Sequence, residues 1–317
     1  MNPSFFFVGH ETVGAYVSRC LEPLGWVRVN DASQAAVAIS YCTSQTALED
    51  AYFDGEGLVK RSKPKTLLID LSPSTPAFAR ELSAVATVND LRPVEAPLSV
   101  VDPALPDAFS TSENVMCFVA GEDDDVDEVI DLVETIAATV ERTGAGGTAQ
   151  LAKAARTVQA AAFIASAVES EALVRATRNN ATSLDGFEAI ARPAAVATAS
   201  SIAAVSVDSF DGTYTVEMLM AEVAAAMTAA DDAELILPQL ESVMHLLEVL
   251  AVIGGADKAP AALALMYREE AASAAQGLDW TRAEGMFADA DHAHDHGYDD
   301  EDDDFGIYGG FGGYSAN

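Results

Sequence analysis

Residues 148–179, TAQLAKAARTVQAAAFIASAVESEALVRATRN, run without a proline and carry apolar side chains at helical spacing. At about 1.5 Å per residue they predict a helix roughly 45 Å long, enough to leave one folded unit and form the spine of another. The chain divides around this helix. Its 317 residues suffice for two cores of roughly 100 to 200 residues each. The expected units are 1–146, then 147–287 opening on the long helix, then a tail at 288–317.

Upstream of the spine, apolar runs alternate with helical patterns. FFFVG (5–9) reads as a strand buried on both faces. Residues 12–24 put Val13, Tyr16, Val17 and Cys20 on one helical stripe, and WVRVND (26–31) follows as a second strand. Further strands are expected at 35–40, 66–71, 94–99 and 114–121, so the first unit is an α/β domain with a parallel, doubly wound sheet. Downstream, helices are expected at 216–230, 234–252 and 260–275. Their apolar positions exceed one amphipathic stripe, which predicts an all-helical domain packed on itself and on a second copy as a homodimer.

A formal charge of −33 argues against nucleic acid or an anionic membrane as partner, because both recruit Lys and Arg. Cys20, Cys42 and Cys117 lie far apart with no CxxC spacing and read as reduced, structural thiols. The N-terminal residues lack the pattern of a secretory signal, and no apolar run approaches the roughly 20 residues of a membrane span, so the expected location is the cytoplasm. Nine acidic residues between 289 and 304 predict a disordered tail. There His292, His294 and His296 alternate among aspartates, where they can hold a divalent metal loosely or simply belong to a solubilising segment.

The stretch FFFVGHETVG (5–14) carries the first chemical signal. A dinucleotide turn needs glycine for a tight bend, for backbone approach to a pyrophosphate and for close packing of helix on strand. Gly9 and Gly14 supply the first and third, with His10, Thr12 and Val13 between them, but the approach position is Glu11. Asp31 falls where an acid would bind an adenosine ribose.

Other motifs follow in order: KPKTLLIDLSPSTP (63–76), VEAPLS (94–99), GAGGTAQLAKAARTVQAAAFIASAVESEAL (144–173) and LMAEV (219–223). With these, residues 4–287 resemble the β-hydroxyacid dehydrogenases, the family of 3-hydroxyisobutyrate and 6-phosphogluconate dehydrogenases, and 144–173 is the most specific part. The resemblance implies a Rossmann-like domain, a long interdomain helix and a helical domain. It also implies NAD or NADP as cofactor, a small hydroxyacid as substrate, and Lys153 as the acid/base. Burial would suit Lys153 to this work by lowering its pKa. By the same resemblance Ser99 and Thr157 fall at the substrate, and Gly9, His10, Glu11, Thr12, Val13, Gly14, Asp31 and Ser72 at the cofactor.

The chain departs from the family pattern at several of these places. An asparagine becomes Thr157, two glycines become Val100 and Val101, a lysine-aspartate pair becomes Glu222 and Val223, and a serine-threonine pair becomes Ser72 and Pro73. Between Asp31 and Ala35 about one helix and strand of the usual sheet is missing, so the sheet is expected to be one unit short. A Glu11 carboxylate about 4 Å from a phosphate would repel it by about 4 kcal/mol at an effective dielectric near 20, on the order of a thousandfold in affinity. Alternatively it folds over the helix N-terminus in the phosphate's stead, or points outward and leaves the turn intact. Two functions follow: an NAD(P)-dependent dehydrogenase, or a family member that has lost catalysis and serves as a binding or interaction protein.

Overall fold

The computed structural model describes residues 3–178 and 196–283. The first apolar run forms β1 (Ser4–Gly9), and the stripe after it forms α1 (Glu11–Leu21), with Val13, Tyr16, Val17 and Leu21 buried. β2 (Val27–Arg28) is short and exposed at the sheet edge. A single 3₁₀ turn, Ala32–Gln34, leads directly from it to β3 (Val37–Tyr41). No α-helix or further strand lies between them, which is the expected shortening. After α2 (Gln45–Phe53) and α3 (Leu58–Arg61) comes β4 (Leu67–Asp70), and after α4 (Pro76–Val88) comes β5 (Arg92–Glu95). The parallel order is β2-β1-β3-β4-β5. Its registers, Gly9 with Tyr41, Ser40 with Asp70 and Asp70 with Glu95, align the C-terminal strand ends in one row.

The far side of the sheet corrects the sequence reading. Residues 94–99 are not one strand. Ala96 and Pro97 divide them into β5 and β6 (Leu98–Val100), since proline has no N–H for the ladder. Both pieces pair antiparallel with β7 (Val115–Gly121), so the sheet is mixed here. β8 (Thr139–Gly144), which follows α5 (Asp123–Ile136), was not anticipated, because TVERTG is too polar to announce a strand. It pairs parallel with β7.

The spine is α6 (Thr148–Arg178). It packs against β7 and β8 on one side. On the other it meets α7 (Val196–Ser206), α8 (Val216–Asp231), α9 (Pro238–Leu250) and a 3₁₀ segment, Pro260–Tyr267. One apolar core runs from Phe5 and Ile39 in the sheet to Leu219 and Leu247 in the helices. The expected helix 260–275 is divided between that 3₁₀ segment and α10 (Glu270–Ala275). At the break Arg268 is extended, its guanidinium lying 4.9 Å from the centroid of the Phe210 ring and 2.6 Å from Asp208.

All three cysteines are free. Among the described residues no single helix is long and apolar enough to cross a membrane. The acidic tail with His292, His294 and His296 lies outside the described residues.

Candidate functional site

The start of α6 is fixed from the sheet. Glu95, at the end of β5, accepts hydrogen bonds from the backbone N–H groups of Gly147 and Gln150, where the helix N-terminus carries partial positive charge. Burial outweighs these bonds and pushes its carboxyl up to about 7. Gln150, fully buried, accepts from Ser74 N at 2.9 Å and donates to Ser72 O at 3.0 Å. One turn beyond these anchors comes Lys153.

Lys153 is 2% exposed. Its Nζ lies 2.6 Å from Glu222 Oε2 on α8 and donates to Ser99 Oγ on β6 at 3.1 Å. Thr157, one turn further along α6, donates to the same Glu222 oxygen at 3.3 Å, and burial with the nearby Glu222 charge raises the Tyr214 phenol pKa well above its ordinary value. The expected acid/base, Lys153, and the two residues expected at the substrate, Ser99 and Thr157, thus meet in one buried network closed by Glu222. Desolvation lowers the Lys153 pKa, and the Glu222 charge opposes that shift.

Beside the network lies a cavity of about 90 Å³, walled by Ser99, Val100, Arg156, Ile164, Tyr214 and Glu222 among others. Val101 N donates to Asn114 O at 2.9 Å, so this amide is taken up by the strand pairing. A larger cavity, about 650 Å³, sits where the loops after β3 and β4 face α8. Glu49, Glu81, Glu217 and Asp232 line it and no Lys or Arg does. Across this boundary Thr43 donates to Glu217 at 2.9 Å.

In the glycine turn, a Cβ on Gly9 would stand 1.9 Å from Tyr41 O, and one on Gly14 would stand 2.8 Å from the Phe7 ring. Both glycines therefore answer to packing of strand on strand and helix on strand. His10 N donates to Tyr41 O at 2.8 Å, while its Nδ1 is buried with no partner. No side chain caps α1. Glu11 is exposed and makes no hydrogen bond or ion pair among the described residues, so it does not cap the helix N-terminus in the phosphate's stead. Tyr41 is almost wholly buried between this turn and the network, and burial with the nearby Glu222 and Glu217 charges raises its phenol pKa well above the ordinary value.

The remaining two positions lie apart. Asp31 accepts from Ser33 N and pairs with Arg61 at 3.3 Å, with both side chains more than a third exposed. Ser72 is fully buried, its hydroxyl accepting from Cys42 N at 2.9 Å and its amide donating to Asp70 at 3.0 Å. Burial pushes the Asp70 carboxyl up to about 6.

Comparison with known proteins bears on this arrangement. Residues 27–146 match the NAD binding domain of 6-phosphogluconate dehydrogenase, a segment that begins after the glycine turn. The NAD-dependent L-serine dehydrogenase of Pseudomonas aeruginosa is 27% identical over 144 residues, 45% of this chain and 47% of that protein. The chain thus matches about half the length of that relative. The 3-hydroxyisobutyrate dehydrogenase of Mycobacterium tuberculosis, solved with L-serine, superposes with a TM-score of 0.67 at 20% identity, covering 85% of this chain and all of the other. The chain is similar in fold to the 3-hydroxyisobutyrate dehydrogenases, and in part of its sequence to an NAD-binding domain and to a dehydrogenase. The Salmonella typhimurium 3-hydroxyisobutyrate dehydrogenase shares the fold as well, with a TM-score of 0.65 at 16% identity over 84% of this chain and all of the other.

Two residues of the site escaped the sequence reading. Arg156 follows Lys153 by three positions and so shares its helix face, a spacing that was available in the sequence. Tyr214 comes from the loop before α8 and had no local signal.

Proposed function

We propose that the chain is an NAD- or NADP-linked oxidoreductase of the β-hydroxyacid dehydrogenase type, acting on a small hydroxyacid, with Lys153 moving the proton. The observation that carries this reading is the buried Lys153 Nζ, held 3.1 Å from Ser99 Oγ next to a cavity of small-molecule size. A lowered pKa makes the neutral amine accessible nearer neutral pH, where it takes a hydroxyl proton in oxidation and returns it in reduction. Ser99 and Thr157 orient the substrate, and Glu222 orients Lys153.

The residues of the turn suit a dinucleotide. The N–H groups of Glu11, Thr12 and Val13 open α1 with no side-chain cap, and Gly9 and Gly14 let strand and helix close behind them. His10 brings a buried ring nitrogen that lacks a partner. Asp31, with Arg61 beside it, stands at the ribose end, and Ser72 acts on the crevice through Cys42. When bound, the nicotinamide supplies the hydride acceptor. Lys153→Met is expected to abolish NAD(P)-linked turnover while leaving cofactor affinity unchanged, as read by steady-state kinetics and titration calorimetry.

A second reading, a relative that binds without catalysing, is favoured by one observation. The Lys153 ammonium is already paired with Glu222, and neither described cavity is lined by it. Calorimetry with NAD, NADH, NADP and NADPH separates the two readings: no binding at millimolar concentration sinks the oxidoreductase.

A further inference from the structure

The chain holds 50 acidic residues against 17 Lys and Arg, yet some of its arginines have no carboxylate partner among the described residues. Arg156 is such an arginine. Its Nε is buried, and the guanidinium makes no hydrogen bond or ion pair with any described residue, although it stands on the wall of the 90 Å³ cavity. It is close enough to Lys153 and Tyr214 to bias both toward losing their protons. Arg156 is half-buried, and a buried donor such as its Nε is seldom left unmatched in a native protein unless water or a ligand completes it.

The charges around the cavity define that ligand. Arg156 and Glu222 are the charged residues that line it, and Glu222 is paired with Lys153 behind the wall, so the guanidinium is the charge left unmatched. The other lining residues, among them Ser99, Val100, Gln159, Phe163 and Tyr214, are uncharged. A volume of about 90 Å³ admits a handful of waters, or an acid of roughly three to five carbons, but no nucleotide. The adjacent backbone offers little to an anion, because Val101 N is already bonded to Asn114 O. A guanidinium is the natural replacement, since its planar fork matches a carboxylate with two parallel N–H donors.

We infer that Arg156 is the specificity-determining residue of this cavity and binds the carboxylate of a small monocarboxylic acid. The inference rests on reading the Lys153 network as a substrate site. Its test needs neither cofactor nor turnover, so it fails separately from the proposed dehydrogenase activity. Titration calorimetry of the full chain would use 3-hydroxypropionate and its methyl ester, which differ in charge at the same carbon skeleton. The wild type is expected to bind the acid and discriminate against the ester. Arg156→Gln is expected to weaken the acid roughly ten- to a hundredfold with the ester unchanged, and Arg156→Lys to recover part of the loss, having the charge without the fork. A melting curve for each variant checks the fold, and a partial recovery in Arg156→Lys also serves if Arg156→Gln is unstable. The inference is overturned if the wild type binds neither compound, binds both alike, or keeps its affinity for the acid when Arg156 is replaced.

Discussion

Lys153 and Glu222 set the character of the site at the scale of single residues. Two opposite charges almost out of water stabilise little as a pair, because desolvation offsets their attraction, but removing one partner strands the other. Glu222→Ala is therefore expected to lose about 3 to 5 kcal/mol in urea unfolding, and Lys153→Met with Glu222→Leu to recover most of it. A double variant as unstable as the single one would show that the network is held by something other than the ion pair. The sequence disclosed the members unevenly. Lys153, Ser99 and Thr157 were legible by resemblance, and Glu222 was legible as a charge opposite to expectation. That Glu222 would turn inward onto Lys153 is a property of how α8 packs on α6, which no local pattern records. Asp31 and Ser72 were legible as motif positions, but their bonds to Ser33, Arg61, Cys42 and Asp70 depend on loops whose paths the sequence does not specify.

At the scale of elements, the glycine turn and the start of α6 do the positioning. Gly9 has φ +120° and no room for a Cβ against Tyr41 O, so Gly9→Ala is expected to lose more than about 4 kcal/mol or to fail to fold. Gly14→Ala meets only the Phe7 ring and should lose about 1 to 3 kcal/mol, measured by the same unfolding curves. Equal effects would contradict the packing account. Glu95 links the sheet to α6, and its carboxyl is raised from 4.5 to about 7. A raised folded pKa means a stabilisation fully present below pH 4.5 and lost as pH rises through about 7, amounting to roughly 3 kcal/mol. The stability of the wild type relative to Glu95→Gln should therefore fall across that window in denaturation followed at several pH values. A difference that stays constant with pH would refute the assignment. Asp70, raised to about 6, is present in both proteins and cancels only in part, because its charge is one of the causes that raise Glu95. The strands β1, β3, β4 and β7 and the helix α6 were plain from periodicity, whereas β8 was hidden by polar residues and β6 by the proline that separates it from β5.

At the scale of the whole molecule, a Rossmann-like sheet lacking one strand-helix unit is joined by α6 to a helical region, and the Lys153 network lies where they meet. The strong negative charge gathers even on the wall of the larger cavity, which disfavours a phosphate-rich ligand there. Glu11 is exposed at the start of α1, so its charge is felt by any anion that approaches that helix end. The central claim is that this divergent site still performs hydride chemistry through Lys153. Its most direct test is the reduction of NAD and NADP by the purified chain with a panel of small hydroxyacids, run beside Lys153→Met. The account predicts turnover by the wild type with at least one acid, lost in Lys153→Met although the cofactor still binds. Cofactor binding absent in both, or turnover equal in both, would contradict it.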